Sequence, residues 1–184
     1  MSVINRRLTY DDLAEFPSDG KRYEIIGGEL LVSPAPRPKH QEISRRLSER
    51  FSTLLMHQLG LAKVYPAPID VRFSPEDVAE PDLVVIRTER RAIVGELAID
   101  GAPDLIVEVL SPSTRAYDEV AKAALYAREG VTEYWLVDPE SATVRIFTLT
   151  GGQYEPVPHD GQTAKSALFP ELTVEIASLF TDLW

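Results

Sequence analysis

The sequence predicts an α/β (α+β) fold, a mixed central β-sheet flanked by helices, with an N-terminal hairpin and a C-terminal β-meander. Three observations lead there. The apolar runs at 83–86, 105–110 and 133–137 have the length and composition of strands covered on both faces. Segments 39–59 and 116–129 read instead as helices. Paired glycines, Gly27-Gly28 and Gly151-Gly152, mark tight turns between strand-like stretches.

Thr9-Tyr10-Asp11-Asp12 has the spacing of a capping box and opens a short helix that Pro17 ends. Residues 22–33 form the hairpin around Gly27-Gly28, and Pro34, Pro36 and Pro38 stiffen the connector that follows. Ile43, Leu47, Phe51, Leu54, Leu55 and Leu59 then recur at helical spacing until Gly60. A strand is expected over 64–73, near an edge or bulged because Pro66 and Pro68 interrupt it. After a turn at 74–77 comes the Asp82 strand, then a charged, loosely helical connector over 87–103. The Glu108 strand follows, then a turn at 111–114 and a helix over 116–129 that Gly130 caps. A strand at 133–137 leads to the meander of 144–149 and 153–157, and an amphipathic tail, 172–184, packs back on the body.

With 184 residues and 44% apolar composition, the chain suits one domain over 1–184 with a sizeable core. No apolar run reaches the roughly 20 residues that span a bilayer, and residues 1–7 lack a secretory signal's apolar segment, so a membrane role is not expected. The absence of cysteine excludes disulfides and thiolate metal sites and fits a cytoplasmic location. A net charge of -10 argues against broad attraction to nucleic acid. The charge is uneven, about +1 over residues 1–50 and -11 over the rest. Basic surface is therefore expected mainly from Arg37, Lys39, Arg45, Arg46 and Arg50, whose plain reading is a solvated helix face.

Chemistry is suggested by acids in apolar strands. Glu108 interrupts Leu105-Ile106-Val107-Glu108-Val109-Leu110, and Asp82 opens Asp82-Leu83-Val84-Val85-Ile86. A buried carboxylate costs several kcal/mol unless a cation or proton compensates it. Strand parity puts Glu108 on the face of Ile106 and Leu110, and Asp82 on that of Val84 and Ile86. On neighbouring strands the two acids converge and can share Mg²⁺, or Mn²⁺, with a main-chain carbonyl such as that of Val109 and water completing the shell. Asp118, Lys122 and Tyr126 line one helix face, which lets Lys122 lie over the acids. The plain alternatives are a strand-opening role for Asp82 and a surface Lys122 paired with Asp118. His40, His57 and His159 lack metal-ligand spacing and are expected to be structural.

Pro81-Asp82 followed by Glu108 on the next core strand resembles the PD-(D/E)XK nuclease superfamily. Longer words resemble the Uma family of restriction endonucleases: Arg22-Tyr23-Glu24-Ile25-Ile26-Gly27-Gly28-Glu29-Leu30, Ser33-Pro34, His40, Glu80-Pro81-Asp82-Leu83, 103–114, Asp118, Lys122 and 130–139. The resemblance implies a restriction-endonuclease-like core and Mg²⁺-dependent hydrolysis of DNA phosphodiester bonds. It implies Asp82 and Glu108 as metal-binding acids and Glu24 as an assisting acid, which otherwise is a hairpin glutamate paired with Arg22 or a neighbour. One departure is plain. The motif's lysine, two residues after Glu108, is Leu110, and the resemblance implies Lys122, from the following helix, as its substitute. A homodimer is the expected assembly, because two-fold pairing of sites suits cutting of both strands. The alternative is a catalytically inactive nuclease-fold module for nucleic-acid or protein interaction. A phosphohydrolase acting on a small nucleotide is a third reading.

Overall fold

The structure is a computed structural model in which residues 6–183 are described; Met1–Asn5, where no leader is expected, and Trp184 of the tail lie outside them. The capping box forms as expected. The Asp12 carboxylate accepts the Thr9 amide at 2.7 Å, and Tyr10–Glu15 winds as a 3₁₀ helix. β1 (Arg22–Ile26) and β2 (Glu29–Ser33) make the hairpin, with Gly27 and Gly28 at φ 59° and 77°, where a Cβ would be strained. α1 (Pro38–Phe51) starts on a proline whose missing N–H costs nothing at that position. It runs into a π-helical stretch, Ser52–Gln58.

The single strand expected over 64–73 is instead two strands in different sheets, β3 (Ala62–Pro66) and β4 (Val71–Ser74). Pro66 and Pro68 cannot donate to a ladder, so the chain leaves one sheet there and joins another. Two short strands were also hidden. β5 (Asp77–Ala79) follows the turn at 74–77, and β7 (Ile99–Asp100) closes the stretch expected as a connector, after a 3₁₀ helix at Thr88–Ile93. Between them runs β6 (Leu83–Arg87).

β8 (Leu105–Val109) precedes a π-helical stretch, Tyr117–Lys122, continuous with α2 (Ala123–Glu129). Gly130 caps α2 at φ 87°. Then come β9 (Glu133–Asp138), β10 (Thr143–Thr150) and β11 (Gln153–Pro156), the predicted meander. β12 (Thr163–Lys165) follows, and the tail contributes β13 (Thr173–Glu175) and α3 (Ile176–Phe180).

Among the described residues the strands form a central sheet ordered β11-β10-β9-β8-β6-β3, a second sheet ordered β2-β1-β5-β4-β7, and the β12-β13 pair. Thus the N-terminal hairpin belongs to the second sheet. β8 and β9 are parallel, which requires the long crossover that α2 supplies. The remaining pairs of the central sheet are antiparallel.

The two faces of the central sheet follow strand parity. Leu83, Val85, Leu105, Val107 and Val109 pack against Ile43, Leu47, Phe51 and Leu55 of the first long helix. On the other face Ile106 and Leu110 meet Leu125 and Tyr126, while Val84 and Ile86 meet Val71 and Ile99 of the second sheet. Each fully buried aliphatic side chain contributes about 1.5–3 kcal/mol. Leu172, Val174, Ile176 and Leu179 bring the tail onto the α1 side.

Most of the basic helix face is committed rather than open. Arg46 donates to the carbonyls of Ser178 and Thr181 at 2.8 and 2.7 Å, and Arg50 to that of Thr173 at 3.0 Å. Arg45 pairs with Glu42 and Glu49. Among the described residues no helix is long and apolar enough to cross a membrane.

Candidate active site

Antiparallel pairing sets Leu83 opposite Val107 and Val84 opposite Ile106. Carried one residue further, the same register sets Asp82 opposite Glu108. Directly opposed side chains share a face, so both carboxylates turn toward the α2 side. β1 brings Glu24 to this place, and the π-helical stretch brings Asp118 and Lys122. All five line one cavity of about 630 Å³.

Each acid is held by named donors. Asp82 Oδ1 accepts from Arg22 Nη1 at 2.7 Å; its Oδ2 accepts from the Val109 amide at 2.7 Å and lies 3.1 Å from His40 Nε2. Glu108 Oε1 accepts from the Tyr126 hydroxyl at 2.7 Å and Lys122 Nζ at 3.1 Å. The same ammonium reaches Glu24 at 2.9 Å and Asp118 at 3.4 Å. Glu24 also accepts the Glu80 amide at 2.8 Å, and Glu80 pairs with Arg22 at 2.9 Å. The Lys122 side chain is almost fully buried, so it is no surface lysine, although it does pair with Asp118.

The site is short of positive charge. Glu24, Glu80, Asp82, Glu108 and Asp118 face only Arg22 and Lys122 as permanent cations among the described residues. Burial pushes Glu108 up to about 8, and the charges of Asp118, Asp82 and Glu24 add to this against the pull of Lys122. Burial and the neighbouring acids Glu24, Asp70 and Asp82 likewise push Glu80 up to about 7, against Arg22. Burial would raise Asp82 too, but the bond and charge of His40, the charge of Arg22 and the Val109 amide outweigh it and hold it at about 2. Lys122 is opposite in sign: burial alone would lower it, yet Glu108, Glu24 and Asp118 hold it well above its ordinary value.

A hard divalent cation suits this donor set. The oxygens are carboxylates in excess over their counter-charges, and burial with the neighbouring acids Asp118, Asp82 and Glu24 raises Glu108 despite Lys122. Among the described residues no three His, Cys, Asp or Glu side chains make a ready cage. Two carboxylates with main-chain and water oxygens is a coordination typical of Mg²⁺.

The structure therefore brings Asp82, Glu108, Glu24 and Lys122 together, with Val109 on the cavity wall. Leu110 lies in the apolar cluster with Leu125 and Tyr126, and Lys122 carries the only ammonium at Glu108 among the described residues. Glu24 pairs with Lys122 rather than with Arg22. His40, expected to be structural, is at the site; no spacing marks it, since its partner Asp82 lies far along the chain. Arg22 and Glu24 left a fainter signal, alternate residues of one strand and so on one face. His159 is structural, its Nε2 lying 2.8 Å from the Val144 carbonyl.

Comparison with known proteins adds a family and a fold. The profile of the Uma2 family, described as "Putative restriction endonuclease", matches residues 9–178. The crystal structure of a putative nuclease belonging to DUF820 from Anabaena variabilis ATCC 29413 superposes with a TM-score of 0.78. It is 24% identical, and the match covers 96% of this chain and 99% of that one. No curated protein matches the chain.

Proposed function

The chain belongs to the Uma2 family, described as putative restriction endonucleases, and we propose that it is a metal-dependent endonuclease hydrolysing DNA phosphodiester bonds. The observation that carries this reading is the opposed pair Asp82 and Glu108 in a cavity with more carboxylates than cations. Asp82 and Glu108 would hold Mg²⁺, or Mn²⁺, beside the main chain of Val109. The ion, when bound, supplies positive charge for the phosphate and readies a water for attack.

The chain's own groups do the rest. The Tyr126 hydroxyl fixes Glu108 Oε1, and the Val109 amide with His40 fixes Asp82 Oδ2. Lys122 places an ammonium at Glu108, where it stabilises charge growing on the phosphate or orients the attacking water. Glu24 also binds that ammonium and would assist at the metal. The acids bind an ion only when deprotonated, so activity should fall on acidification.

The test is cleavage of DNA in Mg²⁺ or Mn²⁺ by wild type and Glu108→Ala. Loss of cleavage in the variant is expected, and equal rates would end the reading. A catalytically inactive module for nucleic-acid or protein interaction is favoured by one observation: Arg22, His40 and the Val109 amide already engage both oxygens of Asp82. Such a module gives no heat when titrated with millimolar Mg²⁺ or Mn²⁺.

A further inference from the structure

If the cavity is a nuclease site, its shape and charge restrict the form of DNA that it admits. The groups a phosphodiester must meet are sunk: Glu24 is 1% exposed, Asp82 and Glu108 2%, Lys122 3%. A volume of about 630 Å³ is in the range that encloses one drug-sized ligand, on the order of two nucleotides, rather than a double helix. Pro34, Pro36, Pro112 and Pro139 stiffen the cavity lining. Across the rim Lys39 Nζ donates to the Pro139 carbonyl at 2.8 Å.

Charge points the same way. Arg37 and Lys39 are the exposed cations on the cavity lining with no acid partner among the described residues. Arg45, Arg46 and Arg50 of α1 are engaged elsewhere, and the chain carries a net charge of -10. Proteins that track duplex backbones commonly neutralise about 6–10 phosphates, far more than two exposed cations can. Nor, among the described residues, does the lining hold a large aromatic wedge to prise base pairs apart; His40 is its only aromatic ring.

We infer that the substrate of this site is a single DNA strand, presented as an unpaired end or segment, and that the intact duplex is excluded. A duplex is wide and stiff and brings a phosphate down to acids this deep only by bending sharply or unpairing, whereas a lone strand can bend its own backbone down to them. The inference rests on the nuclease reading, and the experiment separates the two.

Wild-type protein in Mn²⁺ is given a single-stranded oligonucleotide, its blunt duplex and a closed circular duplex of the same sequence. Binding of all three is followed in parallel with Glu108→Gln, as a function of salt. The single strand should be cut about 100-fold faster than the closed duplex, the penalty expected for unpairing. With two phosphates engaged, log K against log salt should slope near about -1.4 rather than about -5 or steeper. Arg37→Glu should weaken single-strand binding about 10-fold, with Arg45→Glu as the unaffected control. Closed duplex cut within a few-fold of the single strand, or a slope near the steeper value, overturns the inference and leaves the nuclease reading standing. No cleavage, but binding of the single strand in preference to the duplex, ends the nuclease reading and keeps the strand preference. A protein that neither cuts nor binds any of the three overturns both.

Discussion

Glu108 and Glu133 are buried carboxylates on neighbouring strands, and their partners distinguish the proposed metal-binding acid from a structural one. Glu133 receives neutral donors: the Trp135 indole at 2.6 Å and the amides of Ala167 and Leu168 at 2.7 and 2.8 Å, which pin the chain before α3. Glu108 instead shares one ammonium with two other acids and is pushed up to about 8. A folded value above the ordinary 4.5 gives stability fully present below about 4.5 and lost as pH rises through about 8. Glu80, pushed up to about 7, acts in the same direction. Asp82, held at about 2, acts oppositely, its contribution being lost only as pH falls toward 2. Metal-free protein should therefore melt at a lower temperature at pH 8 than at pH 5.5, as scanning calorimetry would show. Glu108→Gln keeps the shape and an acceptor for Tyr126. It should raise the melting temperature at pH 8 while cutting activity by about 100-fold or more. Lys122→Met strands three acids in the interior and should cost about 3–5 kcal/mol in denaturant titration. Glu108 was legible in the sequence because an acid inside an apolar strand is anomalous. His40 was legible only as part of the family resemblance, because its contact with Asp82 is set by the tertiary fold.

At the scale of elements, the pairing of β6 with β8 and the helix that follows β8 build the site. The register that opposes Leu83 to Val107 also opposes Asp82 to Glu108, and a one-residue slip would turn one acid to the α1 face. Parity along the two strands was readable because apolar residues mark both faces of a covered sheet. The helix face was readable too: Asp118 and Lys122 meet at 3.4 Å, and both Lys122 and Tyr126 reach Glu108. Gly130 ends α2 at φ 87°, with nothing within 4 Å of the place a Cβ would occupy, so Gly130→Ala tests backbone conformation alone. It should cost about 1 kcal/mol, measurable by urea titration. Less was readable where strands are short. β5 and β7 span three and two residues, too few for a period to emerge. The division of 64–73 between two sheets lay in tertiary pairing that two prolines signal only as a break.

On the scale of the whole molecule, the central sheet is the fixed wall and the charge is what the fold leaves unbalanced. α1 and the tail cover one face; α2 and the second sheet cover the other, and the cavity opens beside the ends of β6 and β8. The order of sheet, crossover and meander was legible from apolar runs and glycine turns. The second sheet was not, since it gathers segments from 22 to 100 that no local pattern joins. An ion that binds only the folded state stabilises it by about 2.7 kcal/mol at about a hundred times its dissociation constant. Mg²⁺ should therefore raise the melting temperature more at pH 8, where Glu108 is ready to ionise, than at pH 5.5. The most direct measurement is calorimetric titration of Mn²⁺ into the wild type, Asp82→Asn and Glu108→Gln at pH 8. One saturable ion in the wild type, with proton release on binding and loss of that heat in both variants, is the predicted result. A wild type that gives no heat, or variants that bind as it does, would contradict the shared cation on which the account depends.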